Sequence, residues 1–136
     1  MREILFRAKR DKKYCATQKW TYGVPFIDHE GDCIFKTATT ELVVDPKTVG
    51  QYTGLTAKDV KIFEGDIGRY KQTGGAKKNG KPIICTGKVI YNEKTASYAV
   101  ESKDEKGCKY FDYFPINDFE IIGNVHDNPE LLKGGE

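Results

Sequence analysis

Short runs of β-branched and aromatic residues, separated by turn residues, follow one another along most of this 136-residue sequence. In the second half, residues 83–91 alternate between two faces, and one of these carries Ile83, Cys85, Val89 and Tyr91. Alternation with a period of two is typical of β-strands, whereas helical periodicity is weak throughout. The pattern therefore predicts a mainly β protein.

Residues 83–91 and 96–101 are expected to pair as a hairpin, because turn residues lie between them at 92–94. Short strands that follow one another through tight turns predict a meander or a small barrel, and closing a barrel removes exposed strand edges. The remaining predicted strands are residues 4–8, 20–27, 33–35, 42–44, 108–114 and 119–122.

Two segments have less regular signals. Gly23 and Pro25 interrupt residues 20–27, which favours an edge strand or an extended loop. Near the C-terminus, Asn128 is suited to an N-cap, and Pro129 to the first helical position. We therefore expect a short helical turn over residues 128–132.

The composition, 38% hydrophobic and 31% charged, indicates a folded domain rather than a disordered chain. No apolar run approaches the roughly 20 residues that span a bilayer, and residues 1–7 lack a signal-peptide core. Four scattered cysteines suit a reducing cytoplasm, where we expect most of them to behave as small buried hydrophobic residues. Disulfide pairing of two of them stays open.

Charge is distributed unevenly along the chain. Residues 69–94 contain seven Lys or Arg and one Glu, for a net +6, whereas residues 95–136 have a net −5. Three interpretations stay open: a solvated lysine-rich loop, a nucleic-acid-binding patch, and attraction between copies of the chain. The candidate nucleic-acid-binding residues are Arg69, Lys71, Lys77, Lys78, Lys81 and Lys88.

Two short motifs suggest chemistry but have simpler structural interpretations. Residues 75–81 have the spacing of a phosphate-binding loop, but Pro82 replaces the Ser or Thr, and a β-run follows where a helix is required. Asn79-Gly80 instead favours a type I′ turn. Glu-Gly-Asp occurs at residues 30–32 and 64–66, where Gly allows positive φ and Asp bonds a nearby backbone group, so we expect turns there.

Catalysis has little support in the sequence, and no catalytic, metal-binding or cofactor-binding residue is predicted. The two histidines and four cysteines do not have zinc-site spacing, and no nucleophile motif is present. An enzyme would require Asp32, Asp66, His29 or Cys108 to converge in a pocket.

Aromatic residues on both faces of residues 108–114 predict that one face needs a second covering. We favour a contact between copies of the chain; nucleic acid, another ligand and an N-terminal flap are alternatives.

Four segments stand out as landmarks in order along the chain: residues 2–8, 51–55, 62–67 and 119–132. In this order they resemble the YopX family of phage and prophage proteins of bacteria. Residues 2–8 resemble the opening strand of that family, and residues 119–132 are similar to its closing signature. Three features depart from the family pattern: the connection at 56–61, Gly68 in place of a β-branched residue, and a basic insert at 73–82.

The resemblance implies an SH3-like small β-barrel in residues 53–136, after a β-rich part in residues 1–52, or one continuous domain. It further implies self-association and a phage or prophage origin. Together with the many strand aromatics and the lack of a catalytic constellation, it leads us to expect a non-enzymatic accessory protein that assembles and binds a partner in the cytoplasm of a bacterial host. The partner would be a homo-oligomer, a host or phage protein, or nucleic acid, with no membrane. No catalytic residue or cofactor comes with the family.

Overall fold

The computed structural model describes residues 2–72, 77–104, 106–116 and 118–133. Within these residues the protein is mainly β, with thirteen strands and two short 3₁₀ turns. The chain divides into two compact units, Met1–Gly54 (unit 1) and Leu55–Glu136 (unit 2). None of the described segments forms a helix with the length and apolarity needed to cross a membrane.

Unit 1 is an antiparallel sheet in which the strand order is β4-β3-β2-β1-β5. The fifth strand continues past Gly54 into unit 2. The strands are β1 (Phe6–Lys9), β2 (Trp20–Ile27), β3 (Cys33–Lys36), β4 (Glu41–Val43) and β5 (Gly50–Ala57).

Strand β2 lies inside the sheet and changes its partner halfway along. Its first half, to Gly23, pairs with β1, and its second half, from Val24, pairs with β3. Pro25 therefore lies where β2 has a partner on one side only, which a residue without an N–H tolerates. The alternative of an extended loop is wrong, and the edge character applies to this half of the strand alone.

The core of unit 1 lies on one face of its sheet. Ala8, Phe35 and Val44 are almost completely buried there, and Cys33 packs with them. A 3₁₀ turn, Pro46–Thr48, begins after Asp45, whose side chain accepts the Lys47 N–H.

The main sheet of unit 2 has the strand order β12-β11-β10-β7-β13, and β8 and β9 form a separate two-stranded hairpin. The strands are β6 (Val60–Phe63), β7 (Asp66–Lys71), β8 (Lys77–Lys78), β9 (Lys81–Pro82), β10 (Ile84–Asn92), β11 (Ser97–Lys103), β12 (Lys109–Tyr113) and β13 (Glu120–Asn124).

The closed barrel predicted for residues 53–136 is wrong for the described residues. The five strands form an open sheet that has β12 and β13 at its edges, with no pairing between these two strands. Strand lengths and turn signals predicted the meander correctly, but they carry no information on whether the first and last strands meet.

Tight turns fix the register of the hairpins. Asn79 and Gly80 both have positive φ between β8 and β9, which confirms the predicted type I′ turn. Lys58 and Asp59 also have positive φ, so the altered connection at 56–61 still forms a two-residue loop between β5 and β6. In the second Glu-Gly-Asp element, the buried Asp66 carboxylate accepts the Phe63 N–H at 2.8 Å.

The C-terminal segment forms a 3₁₀ turn, Pro129–Leu132. Asn128 occupies the predicted N-cap position, but its side chain makes no capping hydrogen bond to this turn. Its Oδ1 instead accepts the Asn124 N–H at 3.3 Å, which ties the turn back to β13.

The core of unit 2 is built around Tyr70, Val89, Val100 and Phe119, with Ile62 from β6. Gly68 lies under the Phe119 ring, and a Cβ at this position would lie 2.0 Å from the ring. A β-bulge lies between Ile121 and Gly123 on β13, the strand opposite Gly68. Gly68 is therefore required by the close approach of an aromatic ring.

We expect Gly68→Ala to lower the free energy of unfolding by about 1–3 kcal/mol, because the added methyl overpacks the core. Urea denaturation measures the change. Replacing the ring removes the clash, so the same substitution should cost less in a Phe119→Leu background. An equal cost in both backgrounds would contradict this explanation.

Candidate functional site

Strand β10 exchanges its neighbour in unit 2, and this exchange opens a cleft. Ile84 to Lys88 pair with β7, whereas Lys88 to Asn92 pair with β11. Beyond the Lys88–Glu101 pair, β10 and β11 are no longer paired to each other. Gly87 lies at this point, where a Cβ would approach the Glu101 carbonyl oxygen to 2.6 Å. Gly87 is therefore the point at which the two strands lie close together and beyond which they separate.

The cleft has a volume of about 1100 Å³. Ile84 and Leu131 contribute apolar surface, and the Thr86 hydroxyl, which also lines the cleft, is buried without a hydrogen-bond partner among the described residues. Lysines dominate the charged lining: Lys78, Lys88, Lys103, Lys106 and Lys109.

Acidic groups balance part of this positive charge. The Glu101 carboxylate, with a side chain only 12% exposed, lies 3.5 Å from Nζ of both Lys88 and Lys109. A mostly buried carboxylate between two ammonium groups is a structural arrangement, because each cation offsets the cost of burying the anion. The cleft is therefore less basic than its lysine content indicates.

Two tyrosine hydroxyl groups donate hydrogen bonds to carboxylates that line the cleft. The buried Tyr70 hydroxyl donates to Asp112 Oδ2 at 2.7 Å, and burial is the main cause that raises the pKa of Tyr70 well above its usual value. The exposed Tyr110 hydroxyl donates to Asp104 Oδ2 at 3.2 Å, and this hydrogen bond is the main cause that raises the pKa of Tyr110. Both phenols stay protonated at neutral pH and act as hydrogen-bond donors.

The six residues predicted to bind nucleic acid fall into two groups. The strand register places Arg69, Lys71 and Lys88 on one face of the main sheet. Lys71 lies 3.6 Å from Asp118, and Lys88 lies near Glu101, so two of these three cations have acidic neighbours.

The other three, Lys77, Lys78 and Lys81, are exposed on the β8–β9 hairpin. The described part of the predicted phosphate loop is thus a β-hairpin followed by strand β10, with no helix after it. Gly75 lies outside the described residues.

A second basic region was missed at the sequence level. Residues 2–20 contain seven Lys or Arg and two acidic residues, for a net +5. Counting charge over residues 1–68 concealed it, because acidic residues follow in the loop between β2 and β3, in β4 and beyond. A window of about 20 residues would have found it.

Local turns account for the contacts of the carboxylates that were considered for catalysis. Asp66 is bonded in its turn, and Cys108 is exposed, both in unit 2. In unit 1, Asp28, Glu30 and Asp32 bring carboxylate oxygens within 4.8 Å of one another. Asp28 Oδ1 accepts the N–H groups of Glu30 and Asp32, so the local turn accounts for this closeness.

The cysteines differ in environment, and the expectation that most are buried is wrong. Cys33 is buried and Cys85 half-buried, and burial raises the pKa of both thiols. At Cys15, a backbone hydrogen bond from Lys19, helped by the Thr17 hydroxyl, lowers the pKa to about 7. Nearly half of Cys15 is therefore expected to be thiolate at neutral pH, and the thiolate is the reactive form.

We expect iodoacetamide to alkylate Cys15 before Cys33 and Cys85, with a rate that rises with pH to a plateau and has its midpoint near pH 7. Peptide mass spectrometry after labelling from about pH 6 to about pH 9 measures this profile. Thr17→Ala should move the midpoint upward, because one hydrogen bond to the thiolate is lost. A Cys15 profile that coincides with that of Cys85 would refute the assignment.

Comparison with protein families identifies the relationship of this chain. None of the curated proteins compared with the chain matches it. The family model described as YopX protein matches residues 5–133, which is nearly the whole chain and extends over both units. The chain therefore belongs to the YopX family.

Proposed function

We propose that this protein is a non-enzymatic accessory protein of phage or prophage type that self-associates and binds a partner in the cytoplasm of a bacterial host. The observation that carries the proposal is strand β12, an edge strand of unit 2 with three exposed aromatic residues. Tyr110, Phe111 and Tyr113 are 49%, 41% and 40% exposed.

An edge strand presents unpaired backbone N–H and C=O groups, which another strand can complete. Exposed aromatic side chains next to such an edge add apolar contact area on both faces. Together they make β12 suitable for β-sheet extension by a second chain.

A second copy of β12 is a suitable partner strand. In an antiparallel pair related by a two-fold axis near Phe111, Lys109 would oppose Tyr113, and Tyr110 would oppose Asp112. Like charges would not lie opposite each other, which favours such a pair.

The SH3-like description of unit 2 belongs to the same proposal. Its support is the strand order, a meander of β7, β10, β11 and β12 with β13 returning beside β7. The aromatic edge and the cleft then lie on one small β module, and its role is binding.

Nucleic-acid binding through residues 69–94 is the second candidate function. The observation that favours it is the β8–β9 hairpin, where Lys77, Lys78 and Lys81 are all exposed. A hairpin with three exposed ammonium groups can contact phosphates, and such contacts release counterions.

The first prediction concerns self-association. At micromolar concentration, light scattering should report an oligomer, and Phe111→Lys should shift it towards the monomer, because a lysine on an edge strand opposes pairing. Val60→Lys is the matched control, since Val60 is 55% exposed on β6 of the same unit. A wild-type monomer, or equal effects of the two substitutions, would contradict the proposal.

The second prediction concerns the basic hairpin. If it binds nucleic acid, reversing Lys77, Lys78 and Lys81 to Glu should abolish a gel shift of a labelled oligonucleotide at low salt. The wild-type affinity should fall steeply as salt rises. An unchanged shift in the triple variant would remove this candidate.

A further inference from the structure

Unit 1 carries an aromatic surface that its own core does not use. The core cluster of Ala8, Phe35 and Val44 lies on one face of the sheet. Because side chains alternate along a strand, the opposite face of β2 carries Trp20, Tyr22, Val24 and Phe26. We call these four residues the β2 stripe.

The β2 stripe is open to solvent along most of its length. Tyr22, Val24 and Phe26 are 50%, 51% and 40% exposed, whereas Gly23 between them is buried. Same-face neighbours on a strand lie about 7 Å apart, so the Cα atoms of Tyr22 and Phe26 lie roughly 13 Å apart, with both side chains on one face. Two aromatic rings so placed can each stack on a separate flat ligand group.

Cations flank the β2 stripe on both sides. The register places Arg7 beside Tyr22 and Lys9 beside Trp20 on β1, and Lys36 beside Val24 on β3. The Arg7 guanidinium lies 4.9 Å, and the Lys9 ammonium 5.6 Å, from the centre of the Trp20 ring. Arg7 is buried, so Lys9 and Lys36 are the flanking cations that a ligand can reach. Glu41 lies further out, across from Lys36 on β4.

The positive charge continues beyond the sheet. Lys12, Lys13 and Lys19 are exposed in the segment between β1 and β2. Tyr14, 55% exposed, lies in the same segment, with Lys13 Nζ 5.5 Å from the centre of its ring. Aromatic rings among cations therefore extend from β2 into this segment.

From these observations we infer that the β2 stripe and its flanking cations bind single-stranded nucleic acid, with bases stacked on Tyr22 and Phe26 and phosphates near the cations. Aromatic platforms beside basic groups are the combination by which β-sheet proteins hold unpaired strands. A duplex fits less well, because its base faces are stacked inside the helix.

A second copy of the chain is a less suitable occupant. A two-fold contact brings the same patch of both copies together, so Lys9 and Lys36 would each be repeated near the interface. Like charges opposed across an interface disfavour association. Phosphates, in contrast, complement these cations.

Trp20 provides a direct measurement, because it is the one tryptophan in the sequence. We expect an oligodeoxythymidine of about 12 nucleotides to quench Trp20 fluorescence saturably, with an affinity that falls as salt rises. An oligouridine of equal length shows whether the site prefers DNA or RNA, and a duplex of equal length should bind more weakly.

Substitutions test the location of the site. Tyr22→Ala and Phe26→Ala should each weaken binding about tenfold, because each removes a stacking platform. Tyr91→Ala is the matched control, since Tyr91 is 45% exposed but lies on β10 in unit 2. Circular dichroism checks that each variant is folded. Lys36→Glu should also weaken binding, and it tests the site without altering an aromatic residue.

Three results would overturn the inference. The first is an absence of quenching at low salt. The second result has two parts. The variants Tyr22→Ala, Phe26→Ala and Lys36→Glu bind like the wild type, and charge reversal of Lys77, Lys78 and Lys81 abolishes binding. This result would place nucleic acid on the unit 2 hairpin. The third is a change in oligomeric state, but not in oligonucleotide affinity, on substitution of Tyr22 and Phe26, which would make the stripe a contact between copies.

These outcomes are independent of self-association through β12. Oligonucleotide should quench the Trp20 fluorescence of the Phe111→Lys variant as it does that of the wild type, whatever the oligomeric state of the variant. Failure at one surface therefore leaves the proposal for the other intact.

Discussion

A single β-sheet has two faces, and a unit of some fifty to eighty residues has too little chain to cover all of both. Unit 1 places Ala8, Phe35 and Val44 in its core on one face, and the aromatic residues of β2 remain on the other. Unit 2 buries Tyr70, Val89, Val100 and Phe119, but its edge strand β12 keeps three aromatic residues exposed. The surfaces on which the functional proposals depend follow from this constraint.

Both units use the same device to shape a sheet: a long strand that changes its partner at a glycine. Strand β2 leaves β1 for β3 beyond Gly23, and β10 leaves β7 for β11 beyond Gly87. At both glycines a Cβ would lie within 3 Å of a carbonyl oxygen on a neighbouring strand, 2.4 Å at Gly23 and 2.6 Å at Gly87. The absence of a side chain thus lets the strands approach closely where the pairing changes, and in unit 2 a cleft opens there.

Most strands could be predicted from the sequence, because their signals are local. Alternation located β10 and β11, and the Asn79-Gly80 turn appeared where two adjacent residues tolerate positive φ. The failures concern properties that local patterns do not encode. Whether β12 meets β13 depends on long-range geometry, and Asn128 bonds to a strand end rather than to the turn that follows it.

Candidate site residues were harder to predict for a related reason. Charge counting identified Arg69, Lys71 and Lys88, but it could not show that Asp118 and Glu101 lie beside two of them. The basic residues around β1 were hidden by averaging over a long segment. Their proximity to Trp20 depends on a strand register that the sequence alone does not reveal.

The β8–β9 hairpin shows how this architecture can diversify. Its two strands pair with each other and, within the described residues, belong to neither of the larger sheets. Its length and sequence can therefore change without altering the strand order of the main sheet. Related proteins could exchange this appendage while retaining the same scaffold, and an engineered epitope or tag would be tolerated best at its tip.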